Sequence, residues 1–160
     1  NAQNRYVPNF SYGKGKIVWN FESVNMPAGT DGFLYLNGDT WHWNGAANGA
    51  GWIQIRIYPQ DSTTKSSFKL HYDWTAEEFT LEESMNDIKT IELDTKVDPE
   101  DATKVNVTFS INGKVYYSGK KHNAFDLDGH KGVIFYSGFS GPFSPECTIV
   151  FKSLDYEVYE

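Results

Sequence analysis

A Trp-His-Trp segment, Trp41-His42-Trp43, has the composition of a stacking platform. In an extended strand the two indole rings lie on one face and His42 lies on the other. Glycine and asparagine surround the segment, which favours partial exposure of the rings. An exposed indole can stack on a sugar ring, whose C–H faces are apolar while its rim is polar. The alternative, in which both rings belong to the core and only His42 is outside, stays open.

Two polar rows accompany this segment. Gln54, Arg56 and Tyr58 alternate with three isoleucines, and a second row of Lys69, His71 and Asp73 follows. If the two strands pair, the rows form one polar face on which a forked guanidinium suits polyols or a sugar carboxylate. The alternative is an ordinary solvated face. The predicted ligand-binding residues are Trp41, Trp43, Gln54, Arg56, Tyr58, His71 and Asp73.

The elements that must position these residues are β-strands. Alternating apolar and polar residues and frequent Asn-Gly pairs predict roughly ten to twelve strands with short turns. Asn112-Gly113 lies between two such runs and predicts a type I′ hairpin turn. The last strand keeps its alternation only with a bulge near Ser153. Helix signals are limited to possible single turns beginning at Thr75 and at Pro99.

These patterns predict an all-β fold, a two-sheet antiparallel β-sandwich of the jelly-roll type, with the terminal strands as neighbours. The length of 160 residues fits a single domain covering residues 1–160. Aromatic residues make up 16% of the chain, more than a core of this size needs. Some aromatic side chains are therefore expected at a binding surface.

Charge and composition exclude several partner classes. The net charge of −7 disfavours nucleic acid, and no apolar stretch is long enough for a membrane-spanning helix. A single cysteine, Cys147, excludes an internal disulfide framework and is expected to be a small buried residue. Asp126-Leu127-Asp128-Gly129 resembles part of a calcium loop, with two carboxylates two positions apart.

The C-terminal third has a recognisable order of elements: a strand from Val105 to Ile111, the Asn112-Gly113 turn, and strands at 114–117, 132–136 and 148–159. This order resembles the concanavalin A-like, laminin-G-like jelly-roll superfamily, which includes many carbohydrate-binding modules of secreted glycanases. The resemblance implies a glycan on the concave sheet or on loops at one edge, and a frequent structural calcium. It adds Glu22 and Asp155, near the two chain ends, as a second pair of metal candidates.

The function predicted from these observations is a non-catalytic carbohydrate-binding module of a secreted, extracellular protein, monomeric and with no required cofactor. The paired carboxylates of a glycosidase are not apparent, because the glutamates at positions 77, 78, 82 and 83 resemble solvated surface charge. A polysaccharide lyase or glycoside hydrolase of jelly-roll fold is the enzymatic alternative. It would draw on Gln54, Arg56, His71 and either Tyr58 or Tyr136. A protein–protein adhesion domain is the third reading.

Overall fold

The computed structural model describes residues 3–6, 14–25, 33–39, 52–58, 67–72, 75–122, 134–140 and 148–159. These residues form eleven strands and one turn of 3₁₀ helix at Met85–Asp87. The strands are β1 (Gln3–Tyr6), β2 (Lys14–Asn25), β3 (Phe33–Asp39), β4 (Trp52–Tyr58), β5 (Ser67–Tyr72), β6 (Thr75–Thr80), β7 (Thr90–Val97), β8 (Lys104–Ile111), β9 (Lys114–His122), β10 (Ile134–Ser140) and β11 (Thr148–Val158). No helix within these residues is long and apolar enough to cross a membrane.

The strands form two antiparallel sheets. One has six strands in the order β1-β10-β3-β4-β5-β6, and the other has five in the order β11-β2-β7-β8-β9. The predicted two-sheet antiparallel sandwich is therefore confirmed. The expectation that the terminal strands are neighbours was wrong, because β1 pairs with β10 and β11 pairs with β2 in different sheets.

A second correction concerns the segment that begins at Thr75. Its Ala-Glu-Glu sequence has good helix propensity, yet it forms strand β6 and pairs with β5 along its whole length. Phe79 lies in this strand and packs against the buried core. Long-range pairing and the burial of one aromatic ring thus outweigh a weak local preference.

The core of the described residues follows the period-two pattern of the five-stranded sheet. Strand β8 alternates strictly between buried and half-buried positions, and β7 does so over its first six residues. Leu81, Met85 and Ile88 close one side of this core from the segment between β6 and β7. The Ser84 hydroxyl accepts a hydrogen bond from the Asn86 backbone N–H at 3.2 Å, which caps the 3₁₀ turn carrying Met85.

The predicted hairpin turn and bulge are both present. Asn112 and Gly113 have φ angles of 49° and 79°, as a type I′ turn between β8 and β9 requires. In the last strand the register with β2 shifts on both sides of Phe151 and resumes at Ser153. The shift lets Phe151 and Leu154 both lie against the core although they are three residues apart.

Candidate functional site

Strand β6 fixes which face of the six-stranded sheet meets the other sheet. Phe79 is half-buried, and its ring centroid lies 5.9 Å from that of Tyr117 on β9. Its neighbours Glu78 and Thr80 are exposed. Because successive strand residues alternate between faces, the face that contains Phe79 is the inner one. The face that contains Glu78 is the outer one.

The strand register extends this assignment across the six-stranded sheet. Phe79 is aligned with Phe68, Phe68 with Ile57, and Ile57 with Leu34, so an apolar row crosses the inner face. Directly opposed residues of an antiparallel pair share a face. The residues next to this apolar row on each strand lie on the opposite, outer face. They form a first outer row of Glu78, Lys69, Arg56, Tyr35 and Gly138.

A second outer row lies two residues further along each strand. It aligns His71 with Gln54, Gln54 with Asn37, Asn37 with Tyr136, and Tyr136 with Arg5. Five consecutive strands thus align a histidine, a glutamine, an asparagine, a tyrosine and an arginine in one row of backbone positions. These residue types donate and accept hydrogen bonds to hydroxyl and carboxylate groups. We call the two outer rows together the outer polar face.

The predicted site residues fall into two groups. Strands β4 and β5 pair, so the two polar rows foreseen from the sequence do lie side by side, with Gln54 opposite His71 and Arg56 opposite Lys69. Tyr58, opposite Ser67, lies at the end of β4 on the same face. The remaining predicted ligand-binding residues, Trp41, Trp43 and Asp73, lie outside the described residues.

Two residues of the outer polar face were not predicted as partners of Gln54: Asn37 and Arg5. Each is brought in by the order β1-β10-β3-β4, in which strands far apart in sequence become neighbours. A local pattern carries no signal for that order. The composition offered one usable clue, since the chain has only two arginines, and both lie on this face.

Two of the predicted metal candidates, Asp155 on β11 and Glu22 on β2, lie within the described residues. The Asp155 carboxylate accepts a hydrogen bond from the Asn20 amide at 2.8 Å, and the Ser153 hydroxyl lies 3.4 Å from the same oxygen. Glu22 is exposed on β2. Within the described part of the chain no three His, Cys, Asp or Glu side chains group as metal ligands, whereas Ca²⁺ takes six to eight oxygens. Asp126 and Asp128 lie outside that part, and calcium there stays a prediction.

Comparison with known proteins identifies the fold. No protein-family model matches the chain, and no curated protein matches its sequence. Among solved structures, a variant of the Emp46p carbohydrate recognition domain aligns with a TM-score of 0.65 and 11% identity, over 96% of this chain and 77% of that one. A human galectin-16 variant aligns with a TM-score of 0.52 and 9% identity, over 97% of this chain and 94% of that one.

Glycan-degrading enzymes share the fold as well. A variant of the alginate lyase Aly36B, in complex with an alginate trisaccharide, aligns with a TM-score of 0.55 and 11% identity, over 96% of this chain and 72% of that one. Identities this low establish architecture and leave function to the site. The two-sheet antiparallel jelly roll predicted from the sequence is therefore confirmed as the fold, which the Emp46p domain, the galectin and the alginate lyase share.

Proposed function

We propose that this chain is a non-catalytic carbohydrate-binding module of a secreted protein, which holds its glycan on the outer polar face of the six-stranded sheet. The observation that supports the proposal most strongly is the row in which Arg5, Tyr136, Asn37, Gln54 and His71 are aligned across five strands. A sheet is a rigid support, and groups fixed on it are placed more accurately than groups on loops.

Each part of the face has a chemical task in this proposal. Arg56 and Arg5 offer forked donors to a sugar carboxylate or to a pair of neighbouring hydroxyls. Gln54 and Asn37 both donate and accept, so they fit hydroxyls of either orientation. Trp41 and Trp43 would supply the apolar surface on which a sugar ring stacks. No metal or other cofactor is needed for this type of binding.

A glycan array with the purified chain tests the proposal and names the ligand class. Arg56→Ala is expected to remove binding to the preferred glycan and to leave the melting temperature nearly unchanged. Loss of a hydrogen bond to a charged group corresponds to about 1.5–3 kcal/mol, or roughly a 10- to 150-fold loss of affinity. Lys152→Ala is the matched control, because it removes one exposed positive charge from β11 in the other sheet.

Two results would contradict the proposal. One is an array on which no glycan binds above background although the chain is folded. The other is binding that Arg56→Ala and Gln54→Ala leave unchanged, which would make the outer polar face an ordinary solvated surface. Capture of a partner protein that soluble oligosaccharides do not displace would favour an adhesion domain instead.

A polysaccharide lyase is the second candidate, because the register aligns Gln54 with His71 in the row that also contains Tyr136. In a lyase reaction on a uronate chain, a base removes the proton from C5. The C–H electron pair forms the C4–C5 double bond, the C4–O4 bond breaks, and an acid protonates the departing oxygen. Histidine and tyrosine suit the base and acid roles, and Gln54 with an arginine would neutralise the carboxylate.

The two candidates differ in a measurable product. Incubation with uronate polysaccharides such as alginate yields unsaturated, ultraviolet-absorbing ends only if the chain is a lyase. In that case His71→Ala would abolish product formation while glycan binding persists. A folded chain that binds an acidic glycan and releases no unsaturated product supports the binding module.

A further inference from the structure

A cavity lies on the outer face of the five-stranded sheet, on the opposite side of the sandwich from the outer polar face. Its volume is about 320 Å³, and it is lined by Asp94, Lys96, Asn106, Thr108 and Tyr159. Small-molecule sites usually measure about 300–1,000 Å³, so this cavity is large enough for one sugar ring.

The strand register makes the cavity floor regular. Asp94 on β7 is aligned with Thr108 on β8, and Lys96 with Asn106. The intervening residues Thr95 and Val107 are buried, so the four lining residues form a two-by-two block on the outer face. Opposed residues lie about 4.5–5.5 Å apart and successive ones on one face about 7 Å apart, comparable with the width of a pyranose ring.

Tyr159 forms the wall of the cavity. It follows β11, and since β2 lies between β11 and β7, its side chain reaches over β2 to contact Asp94. Its hydroxyl donates a hydrogen bond of 2.7 Å to Asp94 Oδ1. Burial, followed by the Asp94 carboxylate, raises the pKa of the Tyr159 phenol, so the hydroxyl remains the donor at neutral pH. The phenol ring is thereby fixed in place.

The hydrogen-bonding groups on the floor remain available. Within the described residues, the side chains of Lys96, Asn106 and Thr108 make no hydrogen bond or ion pair with another side chain, and Asp94 receives only the Tyr159 hydroxyl. Other cations nearby are engaged: Lys16 pairs with Glu157 at 3.6 Å, and Lys120 pairs with Asp98. The cavity thus presents one carboxylate, one ammonium, one amide and one hydroxyl beside an aromatic ring.

We propose that this cavity is a second binding site that takes a single neutral sugar residue. The free Asp94 oxygen accepts from one sugar hydroxyl, and Lys96 donates to another. Asn106 and Thr108 each donate and accept, and the Tyr159 ring covers an apolar face of the sugar. The lining carries one negative and one positive group, so its net charge is zero and it does not attract a charged sugar in preference to a neutral one.

This site is independent of the outer polar face, because the two lie on opposite sides of the sandwich and share no residue. Either can exist without the other. If both bind, one molecule can bridge two glycan chains, or two parts of one chain, and gains avidity on a polysaccharide surface without any new contact.

Nuclear magnetic resonance titration of the ¹⁵N-labelled chain tests the site directly. The chain should be made in a bacterial host, because Asn106-Val107-Thr108 matches the N-glycosylation acceptor sequence. The probes are glucose, galactose and mannose, each added up to about 0.1 M because weak sites have dissociation constants near the millimolar range. Glucuronate is the charged comparison.

At least one neutral sugar is expected to shift the amide resonances of the five lining residues, in the unmodified chain and equally in Arg56→Ala. Asn106→Ala and Thr108→Val are each expected to weaken this binding by about 2- to 10-fold, the effect of one hydrogen bond. Ser110→Ala is the matched control, since it lies on the same strand and face as Thr108 and outside the cavity lining. Dispersed spectra of all variants show that they are folded.

Several outcomes would overturn the second site. These are no shift at the lining residues with any neutral sugar, shifts that Asn106→Ala and Thr108→Val leave unaltered, and shifts produced by glucuronate alone. The last would identify an anion site at Lys96. Shifts confined to β3, β4 and β5 would support the outer polar face and refute the cavity site, whereas shifts at the cavity alone would do the reverse.

Discussion

Asn112 offers the sharpest test of the structure, because its backbone and side chain have separable tasks. Its φ of 49° lies in the left-handed region, which alanine occupies at a cost of about 1–2 kcal/mol. Its Oδ1 accepts hydrogen bonds from the backbone N–H groups of Lys89 and Thr90 at 2.7 and 3.0 Å. Its Nδ2 donates to Glu83 Oε2 at 2.8 Å and to the Asp87 carbonyl at 2.9 Å.

These bonds join the turn between β8 and β9 to the segment that leads into β7. Asn112 is exposed, so water can form some of these hydrogen bonds when the protein partners are lost. The contribution of each bond to the free energy of unfolding is therefore taken from the lower end of the usual range, about 0.5 kcal/mol. Four bonds give about 2 kcal/mol. Asn112→Gly loses these bonds and keeps the backbone conformation, so its expected destabilisation is about 2 kcal/mol. Asn112→Ala loses the same bonds and also holds alanine in the left-handed backbone conformation, so its expected destabilisation is about 3 kcal/mol.

Asn112→Asp separates the two halves of the side chain. It keeps the acceptor for Lys89 and Thr90 but loses both donor bonds and places a carboxylate beside Glu83. Its expected destabilisation is about 1–1.5 kcal/mol at neutral pH, from two lost bonds and a small repulsion. The predicted order of stability is therefore Asn, Asp, Gly and then Ala.

Urea denaturation followed by tryptophan fluorescence measures these differences, since Trp19 is fully buried and reports unfolding. Equal stability of the glycine and alanine variants would refute the left-handed backbone at Asn112. Destabilisation below about 0.5 kcal/mol in all three variants would refute the four hydrogen bonds. Gly113→Ala provides a second test of the turn. The added Cβ would meet no atom within 4 Å, so any destabilisation comes from the φ of 79° and not from a steric clash.

Three further predictions concern the core, the loop after β7 and the cavity. Phe109 is completely buried on β8, so Phe109→Ala should lower the free energy of unfolding by about 3–5 kcal/mol. Phe109→Leu should lower it by less than about 2 kcal/mol, and urea denaturation measures both values. The pKa of Asp98 is lowered by its contact with Lys120 and by the Glu100 backbone N–H, so its stabilising effect should be present above about pH 4 and lost as the pH falls further. Asp98→Asn should flatten the acid limb of a thermal-stability profile, and an unchanged limb would contradict this assignment. Tyr159→Phe removes the bond to Asp94 and should weaken neutral-sugar binding at the cavity by about 2- to 10-fold, while unchanged affinity would exclude a role for the phenol.

Features with a local cause were predictable from the sequence. The type I′ turn at Asn112-Gly113 follows from two adjacent residues that tolerate positive φ. The bulge near Ser153 follows from a break in period two within one strand. The alternation from Trp52 to Tyr58 gave β4 its bounds and its polar face, because burial on one side of a sheet imposes that pattern directly.

Features set by distant pairing were not predictable in the same way. The pattern at 78–81 predicts a strand, but nothing within 75–77 indicates that this strand begins at Thr75 and pairs with β5, so the helix propensity of that part was misleading. Likewise, the alignment of Arg5 and Tyr136 with Gln54 depends on a strand order that brings residues 3–6 and 134–140 together. The cavity depends on Tyr159 reaching over β2 to Asp94, a contact between positions 65 residues apart.

Charge distribution leads to a final prediction that separates the two sites. The net charge of the chain is −7, yet both of its arginines and Lys69 lie on the outer polar face, and Glu78 is the acidic residue among the described residues of its two rows. A carboxylated glycan on this face is held partly by exposed charges, whose interactions are screened as the Debye length falls from about 10 Å at 0.1 M salt to about 3 Å at 1 M. The affinity of the acidic glycan should therefore fall over that range of salt concentration.

The cavity takes a neutral sugar through short hydrogen bonds, so the affinity of that sugar should stay constant. Isothermal titration with an acidic oligosaccharide and with the neutral sugar that binds the cavity, each at both salt concentrations, measures the contrast. Salt-independent binding of the acidic ligand would refute an ionic role for Arg5 and Arg56. Salt-sensitive binding of the neutral sugar would mean that the cavity recognises charge and that the assignment of a neutral ligand is wrong.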